Sequence, residues 1–206
     1  MVEATVDELF QIFPPRPDLD SCRTCSVVGN SVNLRKSNYG PLIDSQDVVI
    51  RMNYAQIKGY ESDVGTKTTH RVMYPESATD LDNSTHLVLF PFKIQDVEWL
   101  IQAFTTGFNG TSYTKVKSKI KANKDLVMVV NPAFMMYVHE VWLENKGNYP
   151  STGFMGLVLA LHICKEVHVF GYGADSDGNW SHYWEKLSNK NFKTGFHAGQ
   201  QELVFL

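Results

Sequence analysis

The stretch Cys25-Ser26-Val27-Val28-Gly29-Asn30-Ser31 shows the pattern on which the fold prediction rests. A short apolar run rich in β-branched residues ends in a glycine and two polar residues, as a buried strand does where it enters a turn. Runs of the same kind recur along the chain, and together they predict six buried strands over residues 25–28, 48–52, 71–73, 86–90, 126–130 and 167–170.

Helical patterns lie between these predicted strands, over residues 96–104, 132–145 and 152–163. Pro132 suits the first turn of a helix, and Gly147 suits a helix end. Strands that alternate with helices predict an α/β sandwich of the Rossmann type, with a mainly parallel central sheet flanked by helices. Ligands bind beyond the carboxyl ends of the strands in such folds, so the residues after each strand are the first candidates for a site.

The composition is that of one folded domain. The chain has 206 residues, of which 43% are hydrophobic and 20% are charged. A net charge of -3 without a basic run argues against a nucleic-acid partner. We expect no membrane contact, because no apolar stretch approaches the roughly 18 residues that cross a bilayer. We also expect residues 1–20, with their Pro-rich stretch 13–17, to be a stem-like entry segment outside the core, and residues 21–206 to be the main domain.

The cysteines and the glycosylation sequons favour an oxidising, secretory compartment. The chain has three cysteines, at Cys22, Cys25 and Cys164. No second ligand pair accompanies Cys22-x-x-Cys25, which argues against a zinc site. Three sequons begin at Asn83, Asn109 and Asn179. One disulfide in an oxidising lumen would leave one cysteine over, whose partner would lie outside this chain.

Polar residues follow the first two predicted strands and begin the last predicted helix. Asn30 and Asn53 each close a strand, where an amide can hold a phosphate or ribose or can simply stabilise a turn. Ser151, Thr152 and Gly153 stand at the start of an apolar helix. Such a terminus can bind an anion, or Ser151 or Thr152 can serve as a helix cap without any ligand.

Two pairs of potential metal ligands in the last third of the chain suggest metal chemistry, each with a simpler alternative. Asp175-Ser176-Asp177 has a spacing by which some transferases hold a metal-bound diphosphate, although two acids in a Gly-rich segment also form surface turns. His182 and Glu185 lie three residues apart, as metal ligands can. The aromatic residues between them equally suit an aromatic wall.

His197 is a candidate general base, because it lies beside glycines and is followed five residues later by Glu202. A histidine exchanges protons near neutral pH, and a carboxylate can orient its ring. A polar surface residue is the alternative interpretation. Taken separately, none of these candidates decides the function.

In their order along the chain, these segments resemble the four sialylmotifs of the animal sialyltransferase family. The large motif is matched by residues 25–31, 44–53 and 63–69, and the small motif by residues 150–153, 164 and 171–175. The third motif resembles His182-Tyr183-Trp184-Glu185, and the very small motif resembles His197 with Glu202. The resemblance runs from about Cys22 to the chain end. It is closest to β-galactoside α2,3-sialyltransferases acting on Galβ1,3GalNAc, judging from residues 39–41, 74–77 and 131–134.

The resemblance implies a GT-A-like variant of the predicted fold and an inverting transfer of sialic acid from CMP-sialic acid to the 3-hydroxyl of a terminal galactose. It implies no metal ion and no other cofactor. His197 would be the general base, and His182 would donate to the departing phosphate. The implied donor contacts are Asn30, Asn53, Ser151, Thr152, Gly153, Tyr113 and Tyr149. Cys25 and Cys164 would form the disulfide of the family.

The resemblance also implies a Golgi lumenal location, as a single-pass type II membrane protein whose anchor lies outside this chain. Relatives continue beyond the position of Leu206, so we expect a C-terminally truncated catalytic domain that binds the donor and transfers poorly. Two alternatives stay open. One is a catalytically silent CMP-sugar-binding module, and the other is a metal-dependent transferase that uses Asp175 and Asp177.

Overall fold

A parallel sheet organises the protein. In the computed structural model, which describes residues 2–13, 23–186 and 197–205, every neighbouring pair of the six strands is parallel. The strands are β1 (Thr24–Val28), β2 (Val48–Met52), β3 (His70–Met73), β4 (His86–Leu89), β5 (Val127–Val129) and β6 (Glu166–Phe170). Their order across the sheet is β5-β4-β3-β2-β1-β6. All six predicted strands are confirmed, but the edge strands β5 and β6 are not buried as expected, since no residue of β5 and only Phe170 of β6 is buried.

Helices cover the sheet. They are α1 (Val2–Ile12), α2 (Gly40–Asp44), α3 (Glu61–Val64), α4 (Ile94–Ala103), α5 (Pro132–Tyr137), α6 (Thr152–Ile163) and α7 (Gly199–Leu203). The apolar helix α6 packs against β1, β2, β3 and β6. Alternate residues of β4 point to opposite faces of the sheet, since Val88 packs in the cluster around α6 and Leu87 in the cluster around α4. No helix in the described ranges is long and apolar enough to cross a membrane.

The helix predicted over residues 132–145 is divided in the structure. The α-helix α5 ends at Tyr137 and continues as a single π-helical segment, Val138–Trp142. The left-handed backbone of Glu144 and Asn145, with φ of 51° and 61°, then ends the helical path. The helix predicted over residues 152–163 is confirmed as α6, and Ser151 caps its first turn.

The amino-terminal segment differs from the prediction. Residues 1–20 were expected to lie outside the core, but α1 packs against α4 and buries Leu9. Phe13 is also buried, and its ring meets that of Phe104 edge to face with centroids 5.3 Å apart. The apolar side of the amphipathic helix α1 packs on the core, even though a Pro-rich stretch follows this helix in the sequence. Most of that stretch lies outside the described residues. The division into a stem and a catalytic domain stays a prediction.

The strand order reverses between β1 and β6, which places a crevice at the carboxyl ends of these two strands. The loops after them touch: the backbone N–H of Gly29 donates to the carbonyl of Phe170 at 2.7 Å, and that of Ser31 donates to Gly171 at 2.9 Å. A Cβ on Gly29 would lie 2.3 Å from the Gly171 carbonyl oxygen. Glycine is therefore required at position 29 for the crevice to form.

A disulfide joins Cys25 in β1 to Cys164, the residue that follows α6. It is the pairing that the sialyltransferase resemblance implies. The bond ties the carboxyl end of α6 to the first strand of the sheet. Cys22 lies outside the described residues, so its pairing stays a prediction.

A stacked histidine pair with one buried member, His70, should make the stability of the fold depend on pH. His70 of β3 stacks on its register neighbour His86 of β4, with ring centroids 4.4 Å apart. Burial, and then the neighbouring His86, lower the pKa of His70 to about 4. An unfolded histidine binds a proton near pH 6.5, so the unfolded state takes up more protons between these two values. Stability is therefore present above about pH 6.5 and is lost as the pH falls towards 4.

We expect the free energy of unfolding to fall by about 2 kcal/mol more between pH 7 and pH 4.5 in wild type than in His70→Gln. Urea unfolding at the two pH values measures this difference. Val169→Ala, at an exposed position of the edge strand β6, removes no titratable group and should keep the wild-type pH dependence. An equal loss in wild type and His70→Gln would contradict the assignment.

Candidate active site

The crevice at the carboxyl ends of the strands forms a cavity of about 280 Å³. Seven of the nine side chains predicted for donor binding or catalysis line it, namely Asn30, Asn53, Ser151, Thr152, Gly153, His182 and His197. The structure thus brings together residues that are far apart in the sequence. Tyr113 and Tyr149 do not line the cavity.

Asn30 presents a hydrogen-bond acceptor to the cavity. Its side-chain Nδ2 donates to the carbonyl of Met52 at 3.2 Å, which places the end of β2 beside the end of β1. Its Oδ1 is buried and has no hydrogen-bond partner in the described part of the chain. Because a buried acceptor without a partner is costly, this oxygen is suited to a donor group of a ligand.

Asn53 sits in a strained turn that a buried arginine stabilises. The backbone of Asn53 is left-handed, with φ of 57°, and its Oδ1 is also buried without a partner among the described residues. Nη1 of Arg71 lies 3.2 Å, 3.3 Å and 3.5 Å from the carbonyl oxygens of Asn53, Tyr54 and Ala55. Burial lowers the pKa of Arg71 to about 10, which leaves it charged at neutral pH. The sequence distinguishes Arg71 only as a charged residue within an apolar run that predicts a strand.

The start of α6 is held by a carboxylate from the far end of the chain. The Ser151 hydroxyl accepts from the N–H of Phe154 at 3.0 Å and so caps the helix. Glu202 of α7 is buried, and its two oxygens accept from the Ser151 backbone N–H at 2.8 Å and from its hydroxyl at 2.6 Å. The N–H groups of Thr152 and Gly153 belong to the first helical turn, where backbone donors have no partner within the helix. They can serve an anion in the cavity.

His197 is oriented by a backbone carbonyl. Its Nδ1 lies 3.2 Å from the carbonyl oxygen of Tyr149, and its ring meets the Tyr149 ring edge to face at 4.8 Å. An Nδ1 that donates to a carbonyl leaves the lone pair on Nε2, the form a general base needs. Glu202 was expected to orient this ring, but both of its oxygens accept hydrogen bonds from Ser151.

His182 contacts the carboxylate of Glu185 and forms part of the aromatic wall that its segment suggested. Its Nδ1 lies 2.9 Å from Oε1 of Glu185, and its ring stacks on Trp184 at 4.6 Å. A bridge to Ser31 attaches the segment to the loop after β1. Arg35 fixes the next turn by donating to the carbonyls of Tyr183 and Glu185.

Asp175 forms the surface turn that was the simpler interpretation of its segment. Its Oδ1 accepts from the backbone N–H groups of Asp177 at 3.0 Å and Asn179 at 2.8 Å. Neither acid lines the cavity. Among residues 2–13, 23–186 and 197–205 there is no group of three or more His, Cys, Asp or Glu side chains that could hold a metal ion.

A tyrosine lines the cavity, but it is neither of the two predicted ones. Tyr74 lines the cavity, whereas Tyr113 is 78% exposed at the surface. Burial raises the pKa of Tyr74, so its hydroxyl stays protonated. Tyr149 contributes its carbonyl to His197. The pattern Tyr74-Pro75-Glu76-Ser77 was noted in the sequence, but no spacing rule marked Tyr74 as a site residue.

The fold and the cavity define an α/β protein with a polar ligand site at the point where the strand order reverses. The chain matches the sequence model of glycosyltransferase family 29 (sialyltransferase) over residues 1–206. The protein therefore belongs to this sialyltransferase family, which confirms the resemblance seen in its motifs.

Two curated relatives illustrate the similarity, and both are named CMP-N-acetylneuraminate-beta-galactosamide-alpha-2,3-sialyltransferase 1. The relative from Sus scrofa is 49% identical over 206 residues, which cover 96% of this chain and 60% of that protein. The relative from Homo sapiens is 47% identical over 206 residues, which cover 96% of this chain and 61% of that protein. The chain thus spans about three fifths of the length of these relatives.

Solved structures confirm the fold class. A crystal structure of a mammalian sialyltransferase superposes with a TM-score of 0.91 at 48% identity, covering 99% of this chain and 74% of that chain. A crystal structure of a mammalian sialyltransferase in complex with Gal-beta-1-3GalNAc-ortho-nitrophenol gives a TM-score of 0.90 at 47% identity, with the same coverage. The helix-flanked parallel sheet is therefore the sialyltransferase form of the α/β fold.

Proposed function

We propose that this chain is the donor-binding and catalytic part of a CMP-sialic acid-dependent α2,3-sialyltransferase. The main support for this proposal is that one cavity is lined by all of the following: Asn30, Asn53, the start of α6, His182 and His197. Membership of the sialyltransferase family supports it. The acceptor would be a galactose-terminated glycan, and Galβ1,3GalNAc is the proposed preference.

The donor contacts follow from which atoms are available. The side-chain oxygens of Asn30 and Asn53 have no hydrogen-bond partner in the part of the chain that the structure describes. Because these oxygens accept hydrogen bonds, they suit the ribose hydroxyls of CMP rather than its phosphate. The phosphate oxygens are acceptors, and the N–H groups at the start of α6 can donate to them. Ser151 would act mainly through the helix terminus that it caps. Tyr113 and Tyr149 stay proposed phosphate contacts, although neither lines the cavity.

The proposed reaction is a single displacement. The galactose 3-hydroxyl attacks the anomeric carbon of sialic acid from the face opposite CMP, and the bond from that carbon to the phosphate oxygen breaks. CMP leaves with the electron pair, so the configuration inverts. Nε2 of His197 takes the hydroxyl proton, and a ring N–H of His182 donates to the departing phosphate. CMP leaves as a monophosphate whose charge these donors can meet, so we propose that no metal ion is needed.

The proposed location is the Golgi lumen, in a protein anchored by a membrane segment outside this chain. The Cys25–Cys164 disulfide supports an oxidising compartment. In this proposal residues 1–20 belong to the stem and residues 21–206 to the catalytic domain.

Calorimetric titration with CMP in excess EDTA tests the donor site. We expect saturable binding that is selective for CMP over UMP, and about tenfold weaker binding by Asn53→Ala, because the variant removes one buried acceptor. Asn38→Ala is the matched control, since Asn38 has the same left-handed backbone with φ of 56° but does not line the cavity.

Failure of a cooperatively folding sample to bind CMP, or equal binding of CMP and UMP, would contradict the proposed donor. Equal weakening in Asn53→Ala and Asn38→Ala would show that backbone strain, and not a ligand contact, causes the loss. Binding without transfer to Galβ1,3GalNAc would instead favour the silent donor-binding module.

A further inference from the structure

The three glycosylation sequons occupy very different environments. Asn83 lies in the turn before β4, and Asn109 lies in the loop that follows α4. Both residues are exposed, and neither lines the cavity. No described residue accepts a hydrogen bond from either side-chain nitrogen, so both nitrogens are available at the surface.

The third sequon is built into the turn beside the cavity. Asn179 is only 6% exposed. Its Nδ2 donates to both carboxylate oxygens of Asp175, at 3.1 Å and 3.0 Å. Its backbone N–H also donates to that carboxylate, and its carbonyl accepts from the Asp175 N–H at 3.0 Å. The next two residues, Trp180 and Ser181, line the cavity.

N-glycosylation changes the atom on which this turn depends. The amide nitrogen loses one proton to a base and forms a bond to the anomeric carbon of a lipid-diphosphate-linked oligosaccharide, and the bond from that carbon to the diphosphate breaks as the lipid diphosphate leaves. Nδ2 of a glycosylated Asn179 would keep one proton instead of two. It would lose at least one bond to Asp175, and the buried site offers no room for the sugar.

We infer that the folded protein carries N-linked glycans at Asn83 and Asn109 and an unmodified Asn179. A chain that receives a glycan at Asn179 before it folds cannot close the turn, so it does not reach the folded state. The inference rests on the proposed passage through a secretory lumen. Its test does not depend on the proposed transfer activity.

The test is site mapping on the whole chain, expressed in mammalian cells behind a cleavable signal and purified as a cooperatively unfolding protein. Peptide N-glycosidase in heavy-oxygen water converts each glycosylated Asn to a labelled Asp. Mass spectrometry should find the label at Asn83 and Asn109 and an unlabelled Asn179. Asn83→Gln and Asn109→Gln should each lose one glycan by electrophoretic mobility. Ser181→Ala destroys the third sequon but keeps Asn179, and should lose none.

Label at Asn179 in the folded fraction, or a glycan lost from Ser181→Ala, would overturn the assignment of Asn179 as unmodified. Absence of label at Asn83 or at Asn109 would overturn the assignment of that site. Because all readouts are glycan masses, a protein that fails to transfer sialic acid tests this inference equally well.

Discussion

His197→Ala is expected to lower the rate of sialic acid transfer by a factor of about 10² to 10⁴, the usual contribution of a general base. CMP binding should change by less than about twofold, because His197 would act on the acceptor hydroxyl and not on the nucleotide. The structure gives the physical reason: the Tyr149 carbonyl holds Nδ1 and leaves the lone pair on Nε2. Initial rates with CMP-sialic acid and Galβ1,3GalNAc, together with CMP titration, measure both quantities.

His168→Ala is the control for this experiment, since His168 lies on the edge strand β6 and does not line the cavity. It should leave both transfer and binding unchanged. Wild-type turnover in His197→Ala would remove His197 from the mechanism, and loss of CMP binding would show that the substitution damages the donor site instead.

Removal of the disulfide is expected to produce the largest change in stability. Cys25 and Cys164 are separated by 139 residues, so their bond constrains a long loop of the unfolded chain. Replacing both cysteines with alanine should lower the free energy of unfolding by roughly 3 to 5 kcal/mol. Urea unfolding under oxidising conditions measures the loss, and the double replacement avoids a new free thiol.

Wild-type protein unfolded in excess reductant is the internal comparison, and it should approach the stability of the double variant. CMP binding at low urea concentration should survive in the fraction that stays folded, since neither cysteine lines the cavity. A loss below about 1 kcal/mol would mean that packing of α6 against the sheet, and not the covalent bond, holds this part of the fold.

The inner strands β1 to β4 were predictable because buried strands of a parallel sheet are nearly continuous apolar runs. The six runs located the six strands, and Ser151 before a long apolar run located α6. The ends of these strands supplied Asn30 and Asn53, since parallel sheets gather their ligands at one edge. The class of reaction was predicted from the order of the motifs along the chain, because each residue taken alone also suited an ordinary turn or helix cap.

Contacts between distant segments were not predictable. Glu202 reaches Ser151 across 51 residues, and no local pattern favours that pairing over the expected one with His197. The role of Arg71 depends on the path of the turn that carries Asn53, and periodicity says nothing about such a path. The packing of α1 was missed because proline content behind a helix does not decide whether the helix has a partner.

The link between Ser151 and Glu202 has an evolutionary consequence. A change of Ser151 to alanine would leave a buried carboxylate without its hydroxyl donor, and a change of Glu202 to an apolar residue would leave the half-buried Ser151 hydroxyl and N–H without their acceptor. Each single substitution should therefore lower the stability of the protein, whereas a joint replacement removes both polar groups together. The two positions should covary among homologous sequences, and a lineage that has lost one member of the pair should have lost the other as well.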